Sequence, residues 1–406
     1  MTTFTLRARW VVPVVAPPIE GGCVAVSDGR IVAVGGPDAA RGPVEDLGDV
    51  ALLPGLVNAH CHLEFSSLSQ PLGEAGWPLP AWIERVIADR KRADRNATTA
   101  VAAGLAESLR AGVTTVGDIA TAQPAAYATA GPRPRLVLLH EAIGFSDARR
   151  HSAFADVVRR AESAPSDGCA TLASGASPHA PYTVHPELVS QLTDWAAQAS
   201  APLAMHLAES PEEIELLAAG SGAFRELLEA RSMFDPAAIP AGTRPLDYLR
   251  RLTAAPRALV IHGNYLDATE RNYLAEHADR LSLVHCPRTH AYFDHPPLPL
   301  AEWRASGVRI ALGTDSRASN PDLDLWREMQ TVLAKHPAVR PADAVAMVTA
   351  TAAEALGVSD QTGSLAPGRW ADILAVPCAS PSDPLDAVVA ARGPSEVWLG
   401  GRRVSR

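Results

Sequence analysis

Eight short apolar segments recur along the chain, near 51–58, 113–118, 135–140, 170–176, 203–207, 258–262, 282–285 and 308–314. Helical patterns separate several of them. In "TTAVAAGLAESLRAG", Val101, Leu105 and Leu109 fall at i, i+4 and i+8, and Gly112 supplies a stop. "HPELVSQLTDWAAQ" reads as a second such helix. Eight strands alternating with helices predict an α/β fold, a (β/α)8 TIM barrel with its active site at the C-terminal strand ends. A doubly wound open sheet is the alternative, but the sequence holds neither a G-x-G-x-x-G nor a Walker-type loop for nucleotide binding of that kind.

The two ends of the chain read differently. In "GGCVAVSDGRIVAVGG" two β-rich runs meet at Asp28-Gly29, a strong hairpin signal. "GSLAPGRWADILAV" and "SEVWLGGRRV" are short strands between Gly and Pro turns. Neither end makes a core alone. Residues 1–52 and 363–406 are therefore expected to form one composite β-sandwich, with the barrel over 53–362.

A chain of 406 residues, 47% hydrophobic and 20% charged, has enough apolar mass for this arrangement. Its net charge of −9 argues against a nucleic-acid partner. No apolar run is long enough to span a bilayer, and Pro13, Pro17 and Pro18 interrupt the N-terminal apolar stretch. A cytoplasmic location is the expectation. The five cysteines are scattered without a C-x-x-C pair and do not form a disulfide framework. A homodimer is the default assembly.

The strand ends carry the chemistry. The first ends in His60-Cys61-His62, the third in His140-Glu141, and the fourth is followed by His179. The fifth gives His206 with Glu209 three residues on, the sixth His262, the seventh His285 and His290, and the eighth Asp315. On a strand, residues two apart share a face, so His60 and His62 point together, Cys61 points away, and Glu64 follows on the ligand side. Each residue also has an ordinary reading. A strand-end His is often a hydrogen-bonded structural residue, Asp315 could be a helix N-cap, and Glu209 could cap the helix that follows. What weighs against the ordinary readings is their coincidence on seven of eight strand ends. His60, His62, His206 and Asp315 would supply a Zn²⁺ site with one position open, and Fe²⁺ accepts the same ligands. Such an ion lowers the pKa of water from 15.7 towards about 7. Glu209 would move protons, and His262 would orient the water or stabilise charge.

These segments resemble the amidohydrolase superfamily over nearly the whole chain. "LPGLVNAHCHLEF" is similar to its opening motif, "HLAES", "HGNYL", "HCPRTH" and "LGTDS" to its later ones in order, and the terminal β segments to its flanking sandwich. Within it the chain resembles the cytosine-deaminase and chlorohydrolase-like branch. The resemblance implies one metal ion on His60, His62, His206 and Asp315, Glu209 as proton shuttle, His262 at the hydrolytic water, and His179 as a substrate contact. Binuclear members bridge two ions with a fourth-strand lysine. The only lysines here, Lys91 and Lys335, fall in helical segments, which implies a single ion.

Many deaminases of the branch read H-C-P-x-S-N after strand seven, whereas this chain has His290 in place of the Asn and Arg288 before it. The "HCPRTHAYF" form resembles a subgroup that deaminates aminodeoxyfutalosine in menaquinone biosynthesis, an adenine nucleoside ending in a benzoate. Arg288 would pair with that carboxylate, with His290 and Glu64 as further pocket residues. The alternatives are an adenosine-, S-adenosylhomocysteine- or guanine-type deaminase, another hydrolase such as an amidase, an imidazolonepropionase-like enzyme or a chlorohydrolase, and an inactive metal-binding barrel.

Overall fold

The computed structural model describes residues 3–92, 96–128, 131–164, 170–379 and 383–404, apart from the side chains of 147 and 148. Eight parallel strands form one sheet in chain order: Leu56–Cys61, Val113–Ala120, Arg135–Ala142, Thr171–Pro178, Pro202–Leu207, Arg257–His262, Leu281–His285 and Ile310–Leu312. The last meets the first through a parallel bridge between Cys61 and Asp315. There the backbone N–H groups of Thr314 and Asp315 both donate to the His60 carbonyl at 3.1 Å. A Cβ on Gly313 would stand 2.8 Å from His60, so only glycine allows this approach. Asn58 locks the seam, its amide donating to Thr314 Oγ1 at 2.7 Å and its Oδ1 accepting the Thr314 N–H at 3.2 Å.

The expected barrel is thus the observed fold. Its interior is one apolar cluster that includes Val57, Ile119, Val137, Ala204, Leu259, Val284 and Ala311, continued by Leu356. Helices such as Ala97–Arg110 and Pro186–Ala199 pack outside, as their periodicity predicts. One expectation is corrected. The first segment is not a single strand over 51–58 but two, Val50–Pro54 and Leu56–Cys61, divided at Gly55. A Cβ on Gly55 would lie 1.9 Å from Thr114 Oγ1.

Val50–Pro54 belongs to a six-stranded sheet, where it pairs antiparallel with Ile373–Pro377. That sheet draws strands from both ends of the chain. A four-stranded sheet holds the Cys23–Ser27 and Arg30–Gly35 hairpin, which turns at Asp28 (φ 48°) and Gly29 (φ 79°). Leu6, Val24 and Ile31 share a buried cluster with Leu52, Ile373 and Trp398, so the two sheets pack as a sandwich. Arg135 fastens the sandwich to the barrel. From the start of the third strand its guanidinium makes two bonds to the Asp372 carboxylate, at 2.6 and 2.9 Å. Among the described residues no helix is long and apolar enough to cross a membrane. Cys23, Cys61, Cys286 and Cys378 are buried.

Candidate active site and metal centre

The C-terminal strand ends meet at the floor of a cavity of about 500 Å³. His60, His62 and His206 are all buried, with ring nitrogens within 4.8 Å of one another. His62 Nε2 lies 3.3 Å from His206 Nε2, and Asp315 Oδ1 is 3.5 Å from His60 Nε2 and 3.6 Å from His62 Nε2. Around zinc, with bonds of about 2.0–2.2 Å, two tetrahedral ligands stand roughly 3.3–3.5 Å apart. The three ring nitrogens form a group that could hold one ion, and Asp315 Oδ1 stands at ligand spacing from two of them. Both ring nitrogens of His60 are buried without a hydrogen-bond partner, which leaves Nε2, the one facing Asp315, available to a cation.

Each donor is aimed by its neighbours. His206 Nδ1 donates to the His179 carbonyl at 2.9 Å, which leaves Nε2 as the lone-pair nitrogen. Ser319 donates to Asp315 Oδ2 at 2.7 Å, leaving Oδ1 turned towards the histidines. Burial, with added repulsion from nearby imidazoles, drives the His62 and His206 pKa values well below the ordinary range and keeps both rings neutral. Burial pushes the Asp315 carboxyl up, but His60, His262 and the Ser319 hydroxyl outweigh it and hold it at about 2. His62 and His206 are thus neutral imidazoles and Asp315 a carboxylate, the protonation states a divalent ion needs.

Glu209 and His262 stand beside the donors, Glu209 Oε1 3.5 Å from His262 Nε2. Burial raises the Glu209 carboxyl well above the usual range, and the Asp315 and Glu213 charges push the same way. Three residues here have left-handed backbone: Ala208 (φ 54°), His262 (φ 69°) and Asp315 (φ 54°). Such strain outside glycine persists only where the surroundings impose it. At the fifth strand Glu213 does so, accepting the backbone N–H groups of Ala208 at 2.8 Å and Glu209 at 3.0 Å. Sequence reasoning overlooked Glu213 as one more acid in "SPEEIELL".

His179 lines the cavity against His206, ring centroids 4.9 Å apart, and Cys61 packs outward with Leu63, Val101 and Leu105. Three other expected pocket residues lie outside the cavity lining. Arg288 is not in the cavity. The helix Pro287–Tyr292 begins directly after Cys286 and turns it outward, where Asp322 holds it at 2.5 Å. His290 is occupied by Asn264 Oδ1 at 3.0 Å and the Pro296 carbonyl at 2.8 Å, outside the cavity lining. Glu64 does not continue the strand alternation, because the strand stops at Cys61 and Leu63–Phe65 is a 3-10 turn. Its carboxylate accepts from Arg90 at 2.5 Å.

The cavity wall was not foreseen. Leu79, Trp82, Ile83, Val86, Ile87 and Arg90 of helix Leu79–Arg90 all line it, spaced i, i+3, i+4, i+7, i+8 and i+11. That period is visible in the sequence. Leu227, Leu228 and Met233 line it as well. Arg90 reaches Glu64 and, at 3.6 Å, Glu141. Lys91 and Arg149 also line the cavity, and neither has an ion-pair partner among the described residues.

Comparison with known proteins places this geometry. The amidohydrolase family model matches residues 51–404. A 5-methylthioadenosine/S-adenosylhomocysteine deaminase of Moorella thermoacetica is 32% identical over 410 residues, covering 94% of this chain and 89% of the relative. A zinc-bound adenosine deaminase of Xanthomonas campestris superposes with a TM-score of 0.79 at 26% identity, covering 98% of this chain and 92% of the other. Helicobacter pylori aminofutalosine deaminase, in complex with methylthio-coformycin, superposes at 0.85 over 99% of this chain and 100% of the other. At 20% identity that likeness is one of fold.

Proposed function

Because this chain belongs to the amidohydrolase family, we propose that it is a metal-dependent hydrolytic deaminase that converts the C6 amino group of a 5′-substituted adenine nucleoside to the oxo group, releasing ammonia. The observation that carries this reading is the convergence of His60, His62, His206 and Asp315 on one ion-sized gap, with Glu209 and His262 beside it at the floor of a nucleoside-sized cavity. The names of the relatives support the reaction class.

The four donors would hold a single divalent ion, best served by Zn²⁺, whose contribution is Lewis acidity that favours ionisation of water near neutral pH. The fourth strand, Thr171–Pro178, offers no lysine to bridge a second. The chain's own residues do the rest. Glu209 takes a proton from the attacking water and delivers it to the purine ring nitrogen. Water oxygen adds at C6, Glu209 then moves the second water proton from the added hydroxyl to the amino group, and the C6–N bond breaks to release ammonia and leave the oxo group. His262, held neutral by burial, orients the water and steadies the charge on the added oxygen. His179 and Asp315 flank the ring. Phe65, Trp82, Ile83 and Val86 keep bulk water from the centre.

The cavity lining bears on the substrate. Arg149 and Lys91 line it beside apolar residues and have no ion-pair partner among the described residues, so a substituent with an apolar body and a carboxylate fits. S-adenosylhomocysteine, whose substituent ends in a carboxylate beside an ammonium group, accords with the relatives matched over nearly the whole chain. Aminodeoxyfutalosine also ends in a carboxylate, and is the second reading. Arg288 supports neither. Substitution Arg149→Met is expected to raise KM for a carboxylated 5′-substituted adenosine at least tenfold, on the order of one lost charged hydrogen bond, and to leave KM for 5′-methylthioadenosine within about twofold. Arg288→Met is expected to leave the ratio of the two KM values unchanged. A ratio that moves with Arg288 and not with Arg149 sinks this assignment.

A further inference from the structure

We propose that Glu328 and Asn320 are positioning residues for Asp315, clamping the turn after the seventh barrel strand to the segment after the eighth so that one carboxylate oxygen faces the histidines. The inference rests on the reading of Asp315 as a metal ligand. Asp315 sits at φ 54°, a backbone state an aspartate leaves unless its surroundings fix it. Two buried hydrogen-bond chains converge on it.

In the first, the Asn320 amide donates to the Thr314 carbonyl at 3.0 Å and to Glu328 Oε1 at 2.6 Å. Glu328 Oε2 accepts the Arg288 backbone N–H at 3.0 Å. In the second, Ser319 Oγ donates to Asp315 Oδ2 at 2.7 Å and lies 3.1 Å from Thr289 Oγ1. Both chains start from adjacent residues, Arg288 and Thr289, in the short helix Pro287–Tyr292 after strand seven, and both end on the Thr314–Asp315 peptide or the Asp315 carboxylate. The Arg288 guanidinium braces the same segment from outside through Asp322.

Burial decides what this network is for. Glu328, Asn320 and Ser319 have no solvent exposure, Thr289 has 1%, and none of the four lines the cavity. They cannot touch substrate. A fully buried carboxyl group is costly unless its oxygens are matched, and here both are matched to donors on two different segments, the helix after strand seven and the loop after strand eight. Ser319 occupies Oδ2, so the free oxygen is Oδ1, which stands 3.5 and 3.6 Å from His60 and His62. This network also gives the "HCPRTH" segment a purpose: Arg288 and Thr289 aim a ligand rather than read a substrate.

The test compares wild type with Glu328→Gln, both loaded with Co²⁺. Glutamine keeps the shape but sets an NH₂ against one of the two donors. The expected result is a metal-free melting temperature within a few degrees of wild type, Co²⁺ affinity weakened about 10–100-fold in competition with a chelator, an altered visible d–d spectrum, and a fall in kcat with KM changed less than about threefold. A folded Glu328→Gln chain with wild-type affinity and spectrum overturns the proposal. Should Glu328→Gln not fold, Ser319→Ala decides by the same two readouts: a shifted spectrum with weaker affinity supports the clamp, and an unchanged pair overturns it. A wild-type chain that binds no Co²⁺ overturns the reading of the site itself, and the clamp with it.

Discussion

Glu209→Gln is expected to lower kcat by about 10²–10⁴, the range a positioned general acid–base contributes, while the chain keeps its metal. The carboxyl of Glu209 is buried next to Asp315, and its oxygen lies 3.5 Å from His262 Nε2. It is neither in the His60, His62 and His206 group nor the carboxylate that faces it. Glutamine fills the same volume and can still donate or accept a hydrogen bond, but it cannot take a proton from water and return it. The loss should therefore fall on kcat rather than on binding. The sign of the pH effect also follows. Burial raises the Glu209 carboxyl, and the base works only when ionised, so wild-type kcat/KM should fall as pH drops through that pKa. The residual activity of Glu209→Gln should show no such acid limb. Steady-state rates across pH, with metal content measured on the same samples, check both statements. Near-wild-type turnover would remove Glu209 from its role.

The second large effect is loss of the ion from His206→Ala. His206 supplies one of the three clustered ring nitrogens, and its tautomer is fixed by the His179 carbonyl. Loss of groups that merely orient a ligand already costs about 10–100-fold in metal affinity, so loss of the ligand itself should cost at least that. Metal analysis after dialysis should find wild type with about one ion per chain and the variant nearly empty, with no ammonia release. A melting curve of the metal-free variant separates this from unfolding, since His206 is buried and its removal leaves a void. A His206→Ala chain that retains the ion in full would refute the assigned ligand set.

Much of this site was legible in the sequence because barrel geometry converts strand ends into neighbours. His62 and Asp315 are 253 positions apart, yet 3.6 Å separates their atoms. Strand period and element order were enough to bring them together. Arg288 shows where that reasoning stops. It follows a strand end, but Pro287 starts a helix there, and helix geometry turns the side chain towards Asp322. Nothing in "HCPRTH" gives that direction. Glu64 fails for a related reason: alternation holds only while the chain remains a strand, and it leaves the strand after Cys61. Arg90, at the end of helix Leu79–Arg90, Lys91 directly after it, and Arg149, on helix Asp147–Glu162, were missed because they lie outside the strand-end pattern. The signal for the first two was the apolar stripe from Leu79 to Ile87, whose partner is a cavity rather than the barrel. The division at Gly55 was hidden because two apolar strands from different sheets run together with one glycine between them.

The central claim is that this chain deaminates an adenine nucleoside at a single metal ion. The most direct measurement is to load the purified chain with one equivalent of Zn²⁺, add S-adenosylhomocysteine, 5′-methylthioadenosine, aminodeoxyfutalosine or adenosine, and follow ammonia and the ultraviolet change from adenine to hypoxanthine together. The account predicts that at least one 5′-substituted nucleoside yields ammonia and hypoxanthine product in equal amounts, that a chelator stops the reaction, and that a single equivalent of Zn²⁺ restores it. Absence of ammonia from all four with the ion bound, or undiminished turnover after the ion is removed, would contradict it.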